Sequence, residues 1–538
     1  MKTIFKFLNL IVAVLFISNC ARTGRPEGGP KDENAPLFVT AKPPYESTKF
    51  DEKEIELEFD EFIKLKDLNK QFVVSPPMKN PPIISPQGTA SKEINIEILD
   101  TLQQNTTYIL NFGNAIEDNN EGNQLENFKY VFSTGDYIDS LTTVGVIKDS
   151  KLLETPKSVN VLLYRIDSSF NDSIIYKKKP NYITNTLDTT VFNFSNLKKG
   201  KYMMIALKEA ISDYIFNPET DKIGFISDTI SLPKDSIIKK PIVLFQENLP
   251  YEFKKGKEVT KGKIEFGFTG NAKNLKVNLL SKVPDTFNSV SKFMKDKDTL
   301  NYWFTPIDVD SLNFIISNND FLDTITVKLR KKKLDSLEIS SSIRGTLHFK
   351  DTLFLKSNNP IVKIDTSKIS LFDKDTLAVN YKVLASKKEN KIGFIFTKKP
   401  KEKYNFKALP NAFNDVFGIQ NDTLAYKFST KEIDDYGRIT LNVNNVNAKN
   451  LIIELLSGNK QDELVERQFI AASGKIIFDL LEPKKYTVRA IIDENKNNKW
   501  DTGSYLKKRF AERIVYNEAI NKVALRANFF LEENFTVD

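Results

Sequence analysis

The sequence predicts an all-β protein built from tandem β-sandwich units. Three observations carry this. Apolar and polar residues alternate in short runs, at 56–59, 93–98, 108–112 and 276–280, which is the period of a half-buried strand. Long amphipathic helical stretches are missing, and turn signals recur at the spacing of sandwich folds. Finally, 538 residues exceed what one core serves, while 40 phenylalanines supply apolar bulk for several. A single cysteine leaves no disulfide to staple these units. Each must be held by its own core, which about 100 residues can provide.

That cysteine, Cys20, is the most telling residue in the N-terminal segment. Lys2 and Lys6 give a positive start, and residues 7–17 form an apolar run of signal-peptide length. The run is well short of the ~20 residues needed to span a bilayer. Ile17-Ser18-Asn19-Cys20 then resembles the lipobox of bacterial lipoproteins, with Asn19 where that pattern usually has Gly, Ala or Ser. The resemblance implies a signal peptide over 1–19, removed so that Cys20 becomes the lipid-bearing first residue. Residues 20–35 follow as a tether rich in Gly and Pro. It lacks the acidic run that marks surface-exported lipoproteins in some Bacteroidota. By that resemblance the protein is lipid-anchored in the outer membrane and faces the periplasm.

The first folded unit, 36–140, carries Phe59-Asp60-Glu61, Tyr108-Ile109-Leu110-Asn111-Phe112, Asp118 with Gly122, and Tyr130-Val131-Phe132-Ser133-Thr134. These resemble the bacterial Ig-like domain of S-layer-type proteins. The unit recurs over 342–436. Tyr404, Gly418, Tyr426 and Phe428-Ser429-Thr430 repeat six residues of the first copy at one ungapped offset of 296.

A second kind of unit follows each copy, at 141–248 and 437–538. Phe194, Leu197, Tyr202 and Ala206 recur as Phe478, Leu481, Tyr486 and Ala490 at an offset of 284. Both resemble transthyretin-like or Cna-B-like sandwiches. Residues 249–341 form a plainer sandwich with alternating runs at 264–268 and 321–329. The layout A-B-C-A-B resembles that of Bacteroidota Ig-like-domain lipoproteins and reads as a rod of modules.

The net charge is +8. Basic runs at 198–201 and 328–333 lack the interleaved aromatics of a nucleic-acid binder, so they read as solvated surface or a contact for anionic lipid or glycan. No nucleic-acid partner is expected.

No catalytic constellation stands out. Phosphate loops, nucleophile elbows and zinc signatures are missing, and the sole histidine, His348, reads as a strand residue within 346–349. Asp60-Glu61 reads as structural. One loop has metal-ligand spacing: Asp493, Asn495, Asn497 and Asp501 place oxygen side chains at relative positions 1, 3, 5 and 9. Calcium is the metal this suits. Neither the glycine at position 6 nor the glutamate at position 12 of an EF-hand is present, and an Asn-rich turn explains the same residues. The equivalent loop in the first B unit offers only Glu209, Asp213 and Asn217. No other cofactor is expected.

A further pattern is Asp, then Ser or Thr, then an aliphatic residue, as at Asp228-Thr229-Ile230 and Asp310-Ser311-Leu312. It resembles the O-glycosylation motif of exported Bacteroidota proteins and equally suits a turn entering a strand. The functional expectation is a non-enzymatic outer-membrane lipoprotein. It would act as a multi-domain scaffold or accessory in an envelope assembly, with envelope proteins as partners. The alternative is a surface-exposed carbohydrate-binding or adhesive protein.

Overall fold

A computed structural model describes residues 31–294, 297–386, 389–458, 463–521 and 523–538. The signal segment, Cys20 and residues 21–30 of the tether lie outside the described residues. What is described is almost entirely β, with two four-residue helices and three short 3-10 turns. Among the described residues no helix is long and apolar enough to cross a membrane.

The first unit pairs strands in the order Phe38–Lys42, Glu54–Leu65, Ser91–Glu97, Ile83–Ser85, faced by a sheet of Val73–Ser75, Thr107–Gly113 and Phe128–Ser133. Alternation dictates the packing: Ile55, Leu57, Phe59 and Ile63 of one strand point inward and meet Leu110, Phe112, Tyr130 and Phe132. The fourth unit repeats this arrangement, and the offset of 296 holds at the level of single hydrogen bonds. The Tyr108 hydroxyl accepts from Gln103 N and that of Tyr404 from Lys399 N, each at 2.8 Å. Tyr130 donates to Pro43 O at 2.8 Å and Tyr426 to Ile339 O at 2.7 Å. Thr134 and Thr430 close the same loop onto Gln103 O and Lys399 O. This places strand Ile339–Ser341, which pairs with Leu353–Ser357, in the fourth unit's sheet rather than in the 249–341 sandwich.

The second and fifth units share another topology. In each, the first and last strands run parallel in a three-stranded sheet: Leu141–Asp149 beside Ile242–Leu244, and Gly437–Asn445 beside Phe530–Val537. The facing sheet contains Asn160–Arg165 and Gly200–Lys208 in one unit, Leu451–Ser457 and Thr487–Ile492 in the other. A buried tyrosine pins the same corner: Tyr202 donates to Lys198 O at 2.9 Å and Tyr486 to Glu482 O at 2.8 Å. The third unit packs Lys263–Thr269 and Thr299–Phe304 against Ser311–Asn318 around Phe266, Tyr302 and Phe314.

Two expectations need correcting. His348 is not a strand residue: the strand there ends at Thr346, and the ring instead reaches the next unit. Its Nε2 lies 2.7 Å from Leu480 O, and its ring meets Tyr436 edge-on at 4.9 Å. The chain is also not a rod, because the fifth unit returns to dock on the second.

Six of the Asp-Ser/Thr motifs sit where a turn would put them, whereas Asp323-Thr324-Ile325 lies inside the strand Phe321–Lys328. Strands begin at Thr299 and Ser311, and at Leu141, Ile230, Leu353 and Leu424 directly after the hydroxyl residue.

Candidate functional site: a clasp between two units

The loop with metal-ligand spacing is the base of this docking. The structure brings its four predicted residues together around Asp501. Asn495 Nδ2 donates to Asp501 Oδ2, as does Asn497 Nδ2 at 2.6 Å. Asp493, buried at the strand end, accepts from Asn497 N at 3.1 Å and Asn498 N at 2.8 Å. Asn497 Oδ1 accepts from Lys499 N at 2.8 Å. These are the self-bonded Asx turns that Asn and Asp form in tight loops.

Glu512 completes the cluster. Its carboxylate accepts from Glu494 N at 3.0 Å and Asp501 N at 2.9 Å, tying both ends of the loop. Burial, reinforced by the charges of Asp501 and Asp493, pushes its pKa up against those two backbone bonds. Spacing alone could not reveal Glu512, since it returns from the far side of the loop. Among the described residues no group of three or more His, Cys, Asp or Glu is arranged to hold a metal ion. The loop oxygens are engaged by amide donors.

What the loop presents is a short hairpin, with Ser504 and Arg509 paired by reciprocal backbone bonds of 2.8 and 3.0 Å. Its tip enters the outer face of the second unit. Tyr505 is fully buried among Leu162, Tyr164, Ile205, Leu207, Phe225 and Phe245. Its hydroxyl bonds Asp172 Oδ1 at 3.2 Å and lies 2.9 Å from Met203 Sδ, and its backbone N donates to Glu247 Oε1 at 2.6 Å. Burial first, then Asp172, drives the Tyr505 pKa well up. Phe510 stacks on Phe225 at 4.7 Å and 12°. Lys508 pairs with Asp172 at 2.7 Å and lies 4.0 Å over the Tyr505 ring. Thr502 Oγ1 donates to Gln246 O at 2.5 Å. Gly503 is required here, because a Cβ would come 2.6 Å from Phe245 Cζ and 2.8 Å from Arg509 O.

A second contact lies beside the first. Arg489 Nη1 and the Tyr516 hydroxyl both donate to Lys151 O of the second unit, at 2.9 and 2.5 Å. Lys151 in turn sits 5.6 Å over the Trp500 ring. Arg489 is itself held by Glu454, through Nη2 at 2.6 Å and Nε at 2.8 Å, and Arg467 takes the other carboxylate oxygen. Burial works to raise the Glu454 pKa, but the two guanidiniums outweigh it and hold the carboxyl below its ordinary value.

The equivalent loop in the second unit is shorter and makes no such hairpin. Glu209 accepts from Asn160 Nδ2 at 2.6 Å and Tyr214 N at 2.7 Å. Burial, helped by Asp213 and Asp221, pushes its pKa up to about 7. Asp213 caps Ile215 N, and Asn217 bonds Asp221 through its backbone N.

The clasp residues were not read from the sequence, though a signal existed. Val161-Leu162-Leu163-Tyr164 and Met203-Met204-Ile205-Ala206-Leu207 are unbroken apolar runs. A strand with one wet face alternates, so a continuous run means both faces are covered.

A groove of about 770 Å³ crosses the first unit's larger sheet, lined by Glu52, Glu54, Glu56 and Glu97. It lies open to solvent, with Glu56 paired to Lys42 at 3.2 Å. Asp60 Oδ1 accepts from Leu37 N at 2.8 Å, a structural role.

Residues 32–134 match the family model of the Bacterial Ig-like domain, so the first unit is such a domain. No protein of curated function matches the chain. Among solved structures, domains 1–6 of the surface layer protein SbsC are similar at 11% identity, over 91% of this chain and 68% of that one, with a TM-score of 0.16. BcpA, the major pilin subunit of Bacillus cereus, is similar at 10% identity over 74% of this chain and 99% of that one, with a TM-score of 0.13. Salmonella alpha-2-macroglobulin reacted with methylamine is similar at 10% identity over 88% and 44%, with a TM-score of 0.15.

Proposed function

We propose that the protein is a non-enzymatic outer-membrane lipoprotein, held by acyl chains on Cys20 and facing the periplasm. It serves as a scaffold or accessory in an envelope assembly made with other envelope proteins. The observation that supports this is the clasp. By inserting Tyr505 into the second unit, the chain converts five separately folded sandwiches into one closed body. Loops and strand edges are then displayed at set positions, as a scaffold requires.

Crosslinking and pull-down from native membranes, with the lipidated chain, tests this reading. Reproducible capture of outer-membrane or periplasmic proteins, lost when Tyr505→Ala opens the body, is the expected result. Capture of polysaccharide alone overturns it. Intact mass of the membrane-extracted protein checks the anchor: a triacylated Cys20 is expected, and an unmodified or uncleaved chain removes it.

A second reading, a surface-exposed carbohydrate-binding or adhesive protein, is favoured by one observation, a cation-lined cleft described next. Cleavage by protease added to whole cells would support it.

A further inference from the structure

A cleft of about 270 Å³ lies between the first and second units, walled by three prolines and the edges of two buried tyrosines. Three cations line it, Arg165, Lys179 and Lys198, and no carboxylate does. Its other polar groups include Gln103 and Asn181.

The two lysines are held rather than free to fold away. Lys179 Nζ donates to Met78 O at 2.9 Å and Lys198 Nζ to Asn105 O, both across the junction into the first unit. An ammonium has three donors, so each keeps two for another partner. Arg165 is fixed at its backbone by Asn181 Oδ1 at 2.7 Å. Its guanidinium makes no hydrogen bond or ion pair with a described residue. The nearby acids accept their hydrogen bonds elsewhere, Asp139 from Thr107 Oγ1, Asp167 from Ser169, and Asp100 from Lys79 and Asn80, while Asp167 and Asp100 feel the charges of Arg165 and Lys179 from outside the cleft. Three cations converging on one cleft beside unclaimed amide donors form a site for an oxyanion on a polar carrier.

We propose that this cleft binds an acidic sugar residue. Its carboxylate would lie against Arg165, Lys179 and Lys198, and its hydroxyls against the amides of Gln103 and Asn181. The volume admits about one sugar ring, so recognition would be of a single unit or chain end. Arg165 gives the specificity, because its planar fork matches a carboxylate in a way that neither lysine can. The inference does not depend on the clasp, which lies on other residues of the second unit.

The test is titration of the full chain with D-glucuronate, D-glucose and inorganic phosphate at physiological salt, followed by calorimetry or chemical-shift change. Saturable glucuronate binding is expected, at least tenfold tighter than glucose, equivalent to about 1.4 kcal/mol. Arg165→Gln should weaken it at least tenfold, whereas Lys234→Gln, an exposed charge elsewhere on the same unit, should leave it unchanged. Arg165 is exposed, so the variant keeps its fold. Equal binding of glucose and glucuronate would overturn the proposal, as would equal losses in the two variants. Tight phosphate binding with none of glucuronate would also overturn it and point to a lipid headgroup instead.

Discussion

The second and fifth units have one topology, yet they differ at the centre of the same sheet. Pairing on the shared Ala206 and Ala490 puts Leu162 opposite Ile205 in one unit and Glu454 opposite Arg489 in the other. One cross-strand pair is apolar, the other an ion pair whose side chains are 2% and 8% exposed. The fold tolerates both because each face is covered, by different means. The apolar face receives Tyr505 from the other unit. The charged face satisfies itself, with Arg467 as a third member and Lys151 O taking a remaining Arg489 donor. Duplicated sandwiches have thus become unlike partners, a receiver and an inserter, through a few face residues and one longer loop.

The largest expected effect breaks the charged side of this comparison. Glu454→Ala leaves two guanidiniums without their carboxylate, one of them buried, and should destabilise the fifth unit by about 3–5 kcal/mol in urea denaturation of the full chain. Copying the second unit's pair, Glu454→Leu with Arg489→Ile, should restore most of that stability, since buried ion pairs are often replaceable by apolar ones. A double variant as unstable as the single one would show that the two faces are not equivalent.

Next comes the receiver. Tyr505→Ala empties an aromatic site and should weaken docking by about 3 kcal/mol. Small-angle scattering should then show a larger radius of gyration, while circular dichroism stays unchanged. Tyr505→Phe removes only the hydroxyl's bonds to Asp172 and Met203, for about 1 kcal/mol. An unchanged scattering curve for Tyr505→Ala would mean that other contacts hold the units together.

The two units should also respond to pH in opposite directions. Glu454 has a depressed pKa, so its stabilisation is present above the ordinary value of 4.5 and is lost as the pH falls through the lower folded value. Glu209 has a raised pKa of about 7, so the folded second unit binds more protons than the unfolded chain between about 4.5 and 7. Its stability should fall as pH rises through that window. Glu209→Gln should therefore raise the melting temperature at pH 8 and leave it unchanged at pH 4. Equal effects at both would remove the assignment.

The smallest expected effect concerns the loop that carries the hairpin. Its oxygens already accept amide hydrogens, so millimolar calcium should leave both the melting temperature and the Trp500 fluorescence unchanged. A rise of several degrees would show that the loop exchanges its internal bonds for a metal ion.

The Ig-like copies show how much was legible in the sequence. Tyr108, Tyr130 and Thr134 recur at a fixed offset because each makes a backbone bond whose geometry the fold demands, so sequence spacing and hydrogen-bond spacing coincide. The corner tyrosines Tyr202 and Tyr486 were legible for the same reason. His348 was misread because local alternation says nothing of a neighbouring unit. Glu512 and Tyr505 were missed because their partners lie far away, 11 or more residues in one case and over 250 in the other.

Local pattern thus determined the strands, the alternating cores and the repeated units, since period and turn chemistry act over a few residues. The spacing of Asp493, Asn495, Asn497 and Asp501 likewise determined a tight oxygen-rich loop. Only the tertiary structure decided what that loop is for. Whether a chain of sandwiches stays extended or closes on itself depends on complementary faces meeting across hundreds of residues, and no local period encodes that meeting.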